Sequence, residues 1–454
     1  MMDAPHGQIS ALVSLIANAA KVIEAQYATS CKPVVPSLDD TTPHPFDSDV
    51  SPLALKTAIQ TLEGACAQLC ATVARPGDTI LNKCMNIYEP ACFEVVLTSN
   101  IPDILQETPC GMSILDLGKK TGIDPAKLGR ILRYLATKHI FREVTPDVFA
   151  NNRLSMELLS SNPLSSLAMH FADENNKSAA TLTETLSDPD WGHSCAPEHT
   201  AFNKWSKYPA SLFSWYEGAT PEGAKQGARF GVGMLGWGKS VEASSVITGF
   251  PWESLGENAT VCDVGGGIGT MTMQLAKAHS NLLLKLQDLP ERIEQAQNEV
   301  WPQECPEAIR DQRIEFKAMN FLTESPIKGC DVYYLKNIIH DWPDNKVVDI
   351  LRNVRGAMKP CSRVLIHEYV LQRADRVTEG DSPFEQAPEP LLPNYGVGRI
   401  RQYALDLDMM VMLNSQERRL EEFVALGEEA GLVFVKLWNF GEMSAAEFRL
   451  VRDE

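Results

Sequence analysis

The feature that most constrains this chain is the stretch at residues 260–269, which reads T-V-C-D-V-G-G-G-I-G. A short apolar run ends in three consecutive glycines, a fourth glycine follows, and an apolar helical pattern begins at Thr270. Glycine permits positive φ angles and lets a ligand approach the main chain closely. A strand, a glycine turn and a helix N-terminus together aim free N–H groups at a bound molecule. The stretch therefore predicts a site for a nucleotide-like ligand.

Two acidic residues refine the kind of ligand. The next predicted strand ends at Asp288, where a carboxylate can bind both hydroxyls of a ribose. Asp263 stands two residues before the first glycine, and a carboxylate there suits a cationic ligand end, such as an amino-acid ammonium, better than a phosphate. The pattern indicates an adenosine-type cofactor, but by itself it leaves NAD and S-adenosylmethionine open.

From residue 260 onward, apolar strands alternate with helical patterns, which is typical of a parallel sheet with crossover helices. A helix is predicted at 344–359. The predicted strands lie at 260–265, 282–288, 313–317, 331–336, 362–370, 432–438 and 446–452.

The segment Y-Y-L-K-N-I-I-H-D-W-P-D at residues 333–344 carries the candidate chemistry. In open α/β sheets, ligands bind at the carboxyl ends of the strands, and this strand delivers Lys336 and then His340 to that edge. A histidine titrates near neutral pH and can serve as a general base. We therefore interpret His340 as functional, and Asp344 as the cap of the following helix.

The N-terminal part is predicted to be helical, with helices at 8–28 and 53–74 joined by a proline- and aspartate-rich strap. A helix at 113–122, a second helix that begins at Asp124–Pro125 and two short strands within 138–151 make a winged-helix unit. Because the net charge is −18, this unit is expected to serve dimer packing and not DNA binding.

Composition limits the remaining possibilities. No uninterrupted run of eighteen apolar residues occurs, so no membrane span is expected, and the N-terminus lacks the pattern of a signal peptide. The 11 cysteines are scattered without a C-x-x-C pair, which favours a cytoplasmic protein with reduced thiols and no metal site. Aromatic residues are dense between 202 and 238, where most are expected in the core and some could line an acceptor pocket.

Three motifs in this order carry a resemblance to a known family: D-V-G-G-G-x-G at 263–269, Q-D-L-P at 287–290 and H-D-W-P-D at 340–344. With them, the chain resembles the S-adenosylmethionine-dependent small-molecule O-methyltransferases of the plant caffeate type and of fungal polyketide (sterigmatocystin-like) metabolism. The resemblance extends from about residue 91 to the end. The strap L-D-D-T-T-P-H-P at 38–45 is similar to that of fungal members acting on polyketide phenols.

The resemblance implies a role for particular positions. The catalytic set would be the base His340, flanked and oriented by Glu368 and Glu417. The residues expected to bind S-adenosylmethionine are Asp263, Gly265, Gly266, Gly267, Asp288, Leu289, Asn320, Phe321 and Lys336. The residues expected on the acceptor side are Asp408, Met409, Met412 and Asn414.

The resemblance also implies the architecture, an α/β Rossmann-like class I methyltransferase domain preceded by an α-helical winged-helix dimerisation domain, in a homodimer. The expected divisions are an N-terminal helix and strap at 1–52, a dimerisation domain at 53–160, a helical connector beside the substrate pocket at 161–250 and a catalytic domain at 251–454.

Two departures from the family pattern stand out. Asn320 replaces the usual aspartate beside the adenine, which its side-chain carbonyl can still contact. Residues 372–401 form a longer, acidic and proline-rich connection, expected to be a mobile loop. Two other functions stay open: an enzyme of the same fold that binds S-adenosylmethionine without transferring its methyl group, and a winged-helix regulatory or binding protein.

Overall fold

The computed structural model describes residues 7–47, 50–241, 243–378 and 384–451. The chain divides into two compact units. The first unit comprises Met1–Val241 with Val411–Asn414, and the second comprises Glu242–Met410 with Ser415–Glu454. The finer division into four segments stays a prediction.

The second unit is built on a seven-stranded sheet. The strands of this sheet are β4 (Ala259–Val264), β5 (Leu282–Asp288), β6 (Ile314–Ala318), β7 (Val332–Lys336), β8 (Arg363–Glu368), β11 (Leu432–Asn439) and β12 (Ser444–Leu450). The five strands from β4 to β8 are parallel, and the C-terminal hairpin of β11 and β12 adds two antiparallel strands at one edge. The order across the sheet is β11-β12-β8-β7-β4-β5-β6.

The predicted strands all occur, and their ends differ by at most two residues; residue 452, the predicted end of the last strand, lies outside the described residues. The central strands β4, β7 and β8 are buried along nearly their whole length, which explains why they read as continuous apolar runs. The helix predicted at 344–359 ends at Arg355, because the chain turns at Gly356 before it reaches Pro360.

Helices cover the sheet. The helix Asp344–Arg355 places Val347, Leu351 and Val354 in a core shared with β7 and β8. The α-helices of the second unit are Ser245–Gly249, Thr270–Ala278, Pro290–Gln295, Trp301–Glu304, Pro306–Arg310, Asp344–Arg355, Ile400–Leu413 and Leu420–Glu429. The last three residues of the helix Ile400–Leu413 belong to the first unit. Shorter helical turns are Trp252–Leu255, Ala296–Val300, Ile339–Asp341 and Gly396–Arg399.

The first unit contains the predicted winged helix. The Ser113 hydroxyl caps the helix Ile114–Thr121, which ends at Gly122 with φ of 74°. The Asp124 carboxylate caps the helix Pro125–Thr137. Three short strands, β1 (Met112–Ser113), β2 (Arg142–Thr145) and β3 (Val148–Ala150), form a sheet in the order β1-β3-β2. The apolar stripe at Leu128, Leu132 and Leu135 is fully buried, as its spacing predicts.

The first unit is otherwise helical. Its remaining α-helices are Gly7–Ala28, Leu53–Val73, Pro76–Cys84, Tyr88–Thr98, Ile101–Gln106, Pro163–His170, Asn176–Ala179, Leu182–Leu186, Ala201–Ser206, Leu212–Ser214 and Pro221–Ser240. Shorter helical turns are Pro45–Asp47, Met85–Ile87, Ser155–Leu158, Phe171–Asn175 and Trp215–Ala219.

The first helix, Gly7–Ala28, packs against the helix Leu53–Val73 and exposes much of its other side. Its stretch Gln8–Ala28 has a mean hydropathy of 1.2 and passes, by length and composition alone, a test for membrane-crossing helices. The prediction of no span counted only uninterrupted apolar runs, and this stretch mixes apolar and small polar residues. Core helices and signal sequences pass the same test, so this is weak evidence for a span.

The aromatic-rich region supplies core residues. Phe202, Trp215 and Trp237 are buried, as expected for most of the cluster. Beside them, the fully buried carboxylate of Glu174 contacts His170 Nδ1 at 2.7 Å and the Arg229 guanidinium. This network links the helices Pro163–His170 and Pro221–Ser240.

The long connection at 372–401 is folded over most of its described length. The Arg376 guanidinium donates to the carbonyls of Ala387 and Leu391 at 2.7 and 3.0 Å, and the Gln386 side chain bonds both backbone groups of Val377. These hydrogen bonds do not favour the mobility that is expected for this connection. Residues 379–383 lie outside the described residues.

The cap at Asp124 can be tested by substitution. Asp124 Oδ1 accepts the N–H of Lys127 at 3.0 Å, so Asp124→Ala should lower the free energy of unfolding by about 1 kcal/mol. Chemical denaturation measures the difference. Asp124→Ser, which keeps a capping oxygen, should recover most of it, and equal losses in both variants would contradict the capping role.

Candidate active site

The candidate site lies at the carboxyl ends of parallel strands. β4 runs into Gly265, β7 ends at Lys336 and β8 ends at Glu368. Strand register pairs Asp263 with Tyr334 and Lys336 with His367, so these ends lie at one edge of the sheet. The parallel arrangement brings together residues that are a hundred positions apart in the sequence.

The glycine turn is bound to the neighbouring strand. Gly265 and Gly266 donate their N–H groups to the carbonyl of Gln287 at 2.8 and 3.3 Å. Gly267 donates to Asp288 Oδ2 at 2.7 Å. The prediction that the N–H groups of this turn are free for a ligand is therefore wrong for these three glycines, because the end of β5 accepts them.

What the turn offers a ligand is space. A Cβ atom at Gly267, where φ is +61°, would meet no atom within 4 Å. At Gly265 a Cβ would lie 2.5 Å from Ile338, and at Gly266 it would lie 2.5 Å from the Asp263 carboxylate. The turn is thus packed on two sides and open at Gly267.

Asp288 and Leu289 stand beside that opening. The Asp288 carboxylate binds the N–H of Gly267 through one oxygen and that of Leu289 through the other, each at 2.7 Å. Each carboxylate oxygen has a second lone pair, so a pair of ribose hydroxyls can still donate to it. Leu289 is 42% exposed, which suits an apolar contact with a base.

Asp263 near the end of β4 and Lys336 at the end of β7 bear opposite charges. The Asp263 carboxylate is buried and accepts the Thr272 hydroxyl at 2.5 Å. Burial raises the pKa of Asp263 to about 6, against the hydrogen bond from Thr272. Burial likewise lowers the pKa of Lys336 to about 8, although the charges of Asp263 and Glu368 oppose this. Both groups are tuned towards neutral pH.

Asn320 and Phe321 follow β6. Asn320 Oδ1 accepts the N–H of Leu322 at 3.0 Å, which leaves its second lone pair for an adenine amino group. The Phe321 ring packs edge-on against Trp342, with centroids 6.0 Å apart, and lies 3.2 Å from the Cβ position of Gly265. Phe321 therefore joins the glycine turn to the H-D-W segment. Taken together, the opening, the carboxylate and the apolar flank fit the cofactor that the sequence implies.

His340 is the centre of a second group. Its turn, Ile339–Asp341, follows β7, and the residue is 8% exposed. His340 Nδ1 lies 2.7 Å from the buried Glu417 Oε1, and Nε2 lies 3.6 Å from Asp341 Oδ1. With a proton on Nδ1, Nε2 carries the free lone pair that a base needs.

Glu368 orients His340 through the backbone. Its Oε1 accepts the N–H groups of Ile338, Ile339 and His340 at 2.9, 2.7 and 3.3 Å. Burial raises the pKa of Glu368 to about 7, although the charge of His340 opposes this. The predicted flanking role thus takes the form of a carboxylate that holds the turn.

The carboxylates control the protonation of His340. Burial lowers the pKa of His340, but the charges of Glu417 and Asp341 outweigh burial and raise it to about 10. Burial also raises the pKa of Asp341 to about 6. The two carboxylates thus favour the imidazolium, which is the form that the ring takes when Nε2 accepts a proton.

The four residues expected on the acceptor side lie on or just after the helix Ile400–Leu413. Asp408 and the buried Met409 belong to the second unit, and Met412 and Asn414 belong to the first. Asn414 donates its side-chain amide to the carbonyls of Ala196 and His199 at 2.8 and 3.1 Å. Their role in acceptor binding stays a prediction.

Sequence reasoning missed two residues of the His340 turn and misjudged a third. The Arg418 side chain donates to the carbonyls of Ile339 and Trp342, and the Ser415 hydroxyl donates to that of His340. Asp344 begins the next helix but makes no side-chain capping bond, so its predicted role is wrong. The Asp344 carboxylate binds Arg418 instead. The one signal in the sequence that could have identified Arg418 is its position next to Glu417.

Two family models match the chain. Residues 213–384 match an O-methyltransferase domain, and residues 83–161 match an O-methyltransferase dimerisation domain. The match at 83–161 covers the winged helix.

Relatives match nearly the whole chain. A protein of Phanerochaete chrysosporium named 3-O-methyltransferase 2 is 43% identical over 444 residues, which cover 97% of each chain. The O-methyltransferase gedA of Aspergillus terreus is 36% identical and covers 85% of this chain and 84% of its own. Among solved structures, OxaC in complex with SAH and oxaline has a TM-score of 0.69 at 20% identity, and the match covers 98% of this chain and 99% of the OxaC chain. The last likeness confirms the predicted fold.

The opening at Gly267 generates a test. A methyl group in Gly267→Ala should occupy the ligand space, so the dissociation constant for S-adenosylmethionine should rise at least about tenfold. The left-handed φ should also cost about 1–2 kcal/mol of stability. Calorimetric titration and denaturation measure the two effects.

Gly329→Ala is the matched control. Gly329 has φ of +77° and also has open space around its Cβ position, but it lies outside the turn. It should lose comparable stability and keep its affinity. Equal affinity in the two variants would contradict the assignment of the opening.

Proposed function

This chain belongs to the S-adenosylmethionine-dependent O-methyltransferases, and we propose that His340 is the base with which it deprotonates a phenolic hydroxyl of an aromatic or polyketide-type acceptor. The enzyme is an O-methyltransferase acting on secondary metabolites. The acceptor class and the role of His340 are the proposal.

One observation carries the assignment of the base. Glu417 binds His340 Nδ1 at 2.7 Å, and Glu368 binds the backbone of the same turn. A carboxylate at Nδ1 fixes the tautomer, directs the lone pair of Nε2 outward and stabilises the imidazolium that forms on proton transfer. The same arrangement supports Glu368 and Glu417 as positioning residues of the base.

The chemistry requires such a base. A neutral phenol is a weak nucleophile with a pKa of about 10, so its proton must leave as the oxygen attacks. When bound, S-adenosylmethionine supplies an electrophilic methyl group on a positively charged sulfur. His340 Nε2 would take the phenolic proton, and correct placement of the acceptor oxygen beside the bound methyl donor would contribute several orders of magnitude to the rate.

The proposed cofactor seat uses the residues around the glycine turn. Asp288 would hold the ribose hydroxyls, Leu289 and Phe321 would lie beside the adenine, and Asn320 would pair with the adenine amino group. Gly265, Gly266 and Gly267 form the turn that would admit the cofactor, and Asp263 and Lys336 would supply charges near its amino-acid end. The space at Gly267 and the spare lone pairs of Asp288 support this assignment.

Two further parts of the proposal concern partners. The dimerisation-domain match at 83–161 supports a homodimer. We also propose that the acceptor contacts Asp408, Met409, Met412 and Asn414.

A screen of phenolic polyketides with isotope-labelled methyl donor tests the function, and a product that gains no methyl mass would contradict it.

Removal of the base gives a direct test. His340→Ala should lower kcat by about 10²–10⁴-fold while the dissociation constant for S-adenosylmethionine stays within about twofold. Single-turnover transfer of labelled methyl and calorimetry measure the two quantities. His193→Ala, at an exposed position, is the control and should retain full activity. Near-normal kcat in His340→Ala would exclude this residue as the base.

The pH dependence follows from the raised pKa of His340. Only the neutral imidazole accepts a proton, so kcat/KM should increase with pH until the pKa of His340, about 10, is reached. Glu417→Gln removes the charge at Nδ1 and lowers this pKa, so the acid limb should move to lower pH by about one unit or more.

Both enzymes are measured with the same acceptor, whose own titration is then common to the two profiles. The maximum rate of Glu417→Gln should also fall, because an amide holds the imidazole less firmly. An acid limb at the same pH in both enzymes would show that the group responsible is not His340.

A further inference from the structure

We infer that Arg418 is a positioning residue for the base, and that its guanidinium fixes the carbonyl side of the His340 turn. This inference rests on the proposed role of His340. The turn, residues 338–342, is held from its N–H side by Glu368 and from its carbonyl side by Arg418 and Ser415.

The contacts of Arg418 bracket the base. Nη1 donates to the carbonyl of Ile339 at 2.8 Å, and Nη2 donates to the carbonyl of Trp342 at 2.7 Å. These carbonyls lie on either side of His340 and Asp341. The Arg418 side chain is 1% exposed, so its hydrogen bonds are shielded from water. A planar guanidinium spans two acceptors at once, which a lysine ammonium does not do in the same geometry.

A carboxylate balances the buried charge. Asp344 Oδ1 accepts from Arg418 Nε at 3.1 Å and from Nη2 at 2.8 Å. Asp344 is the first residue of the helix Asp344–Arg355, so the guanidinium ties the turn to that helix. A buried guanidinium without such a partner would be strongly destabilising.

The neighbouring residues Glu417 and Arg418 contact different parts of the His340 turn. Arg418 lies on the short strand β10 (Arg418–Arg419), which pairs in parallel with β9 (Val370–Leu371) just beyond Glu368. Glu417 binds the imidazole, and Arg418 binds the backbone that carries it. Glu417 and Arg418 therefore hold both the imidazole ring and the backbone to which it is attached.

This double attachment matters because proton transfer depends on position. A displacement of about 1 Å from the reactive geometry can cost about a hundredfold in rate. If the carbonyl side were released, the imidazole would move relative to Glu417, and the carboxylate would raise its pKa less. The expected loss thus appears in kcat and in the pKa of His340, and not in cofactor affinity.

The test compares Arg418→Lys with Arg419→Lys. Arg419 is the next residue on β10, and its guanidinium binds Glu422 at 3.1 Å, away from the turn. Arg418→Lys should lower kcat by about 10–100-fold, leave the dissociation constant for S-adenosylmethionine within about twofold and lower the pKa of His340. Arg419→Lys should change none of these.

The pKa of His340 is read by NMR titration of the labelled imidazole without acceptor, so this readout does not depend on turnover. A purely structural role for Arg418 would reduce the folded fraction but would not move the titration of the protein that is folded. An unchanged titration together with wild-type kcat in Arg418→Lys would overturn the inference.

A second variant covers the case in which Arg418→Lys does not fold. The Asp344 side chain is 62% exposed, so Asp344→Asn perturbs the guanidinium from the solvent side. It should lower kcat about threefold to tenfold and shift the titration in the same direction, since it weakens one arm of the contact. Wild-type values for both quantities would overturn the inference.

The outcomes separate the two proposals. If His340→Ala keeps its rate, the general-base proposal fails and the inference fails with it. If His340→Ala is inactive while the Arg418 and Asp344 variants behave like the wild type, only the positioning role of Arg418 fails.

Discussion

The buried carboxylate of Glu368 is the interaction on which the site depends. One oxygen accepts three consecutive backbone N–H groups of the turn that carries His340. A buried carboxylate is costly to desolvate, and N–H dipoles directed at it offset that cost. Because the turn follows β7 and Glu368 ends β8, the pairing of these two parallel strands sets the distance between them. The pairing of these two strands therefore sets the position of His340.

The same sheet edge brings together titratable groups whose pKa values are shifted towards one another. Burial acts against the charge of each group, raising the pKa of Asp263 to about 6 and of Glu368 to about 7 and lowering that of Lys336 to about 8. Only His340 departs from this pattern, because two nearby carboxylates outweigh its burial. Asp263, Glu368 and Lys336 thus change protonation closer to neutral pH than an exposed carboxyl or ammonium group does.

Local sequence patterns misled where a distant residue supplied a stronger partner. The glycine turn resembles a set of free N–H groups, but the end of β5 accepts them. Asp344 stands where a capping residue is expected, but a guanidinium from 74 positions further along the chain binds its carboxylate. In both cases the competing group comes from another element of the fold, and a reading of neighbouring residues cannot detect it.

The sequence by itself determined the type and order of the elements, because apolar periodicity, caps and glycines act over a few residues. It also determined which residues could carry chemistry, since the D-V-G-G-G, Q-D-L-P and H-D-W-P-D motifs are each contiguous. Only the tertiary structure decided how Glu368, Glu417 and Arg418 act, one on the backbone N–H groups, one on the imidazole and one on the carbonyls. Those contacts join strands and loops far apart in the chain. Hydrogen-bond geometry at that range is fixed by strand pairing and packing, which no local pattern encodes.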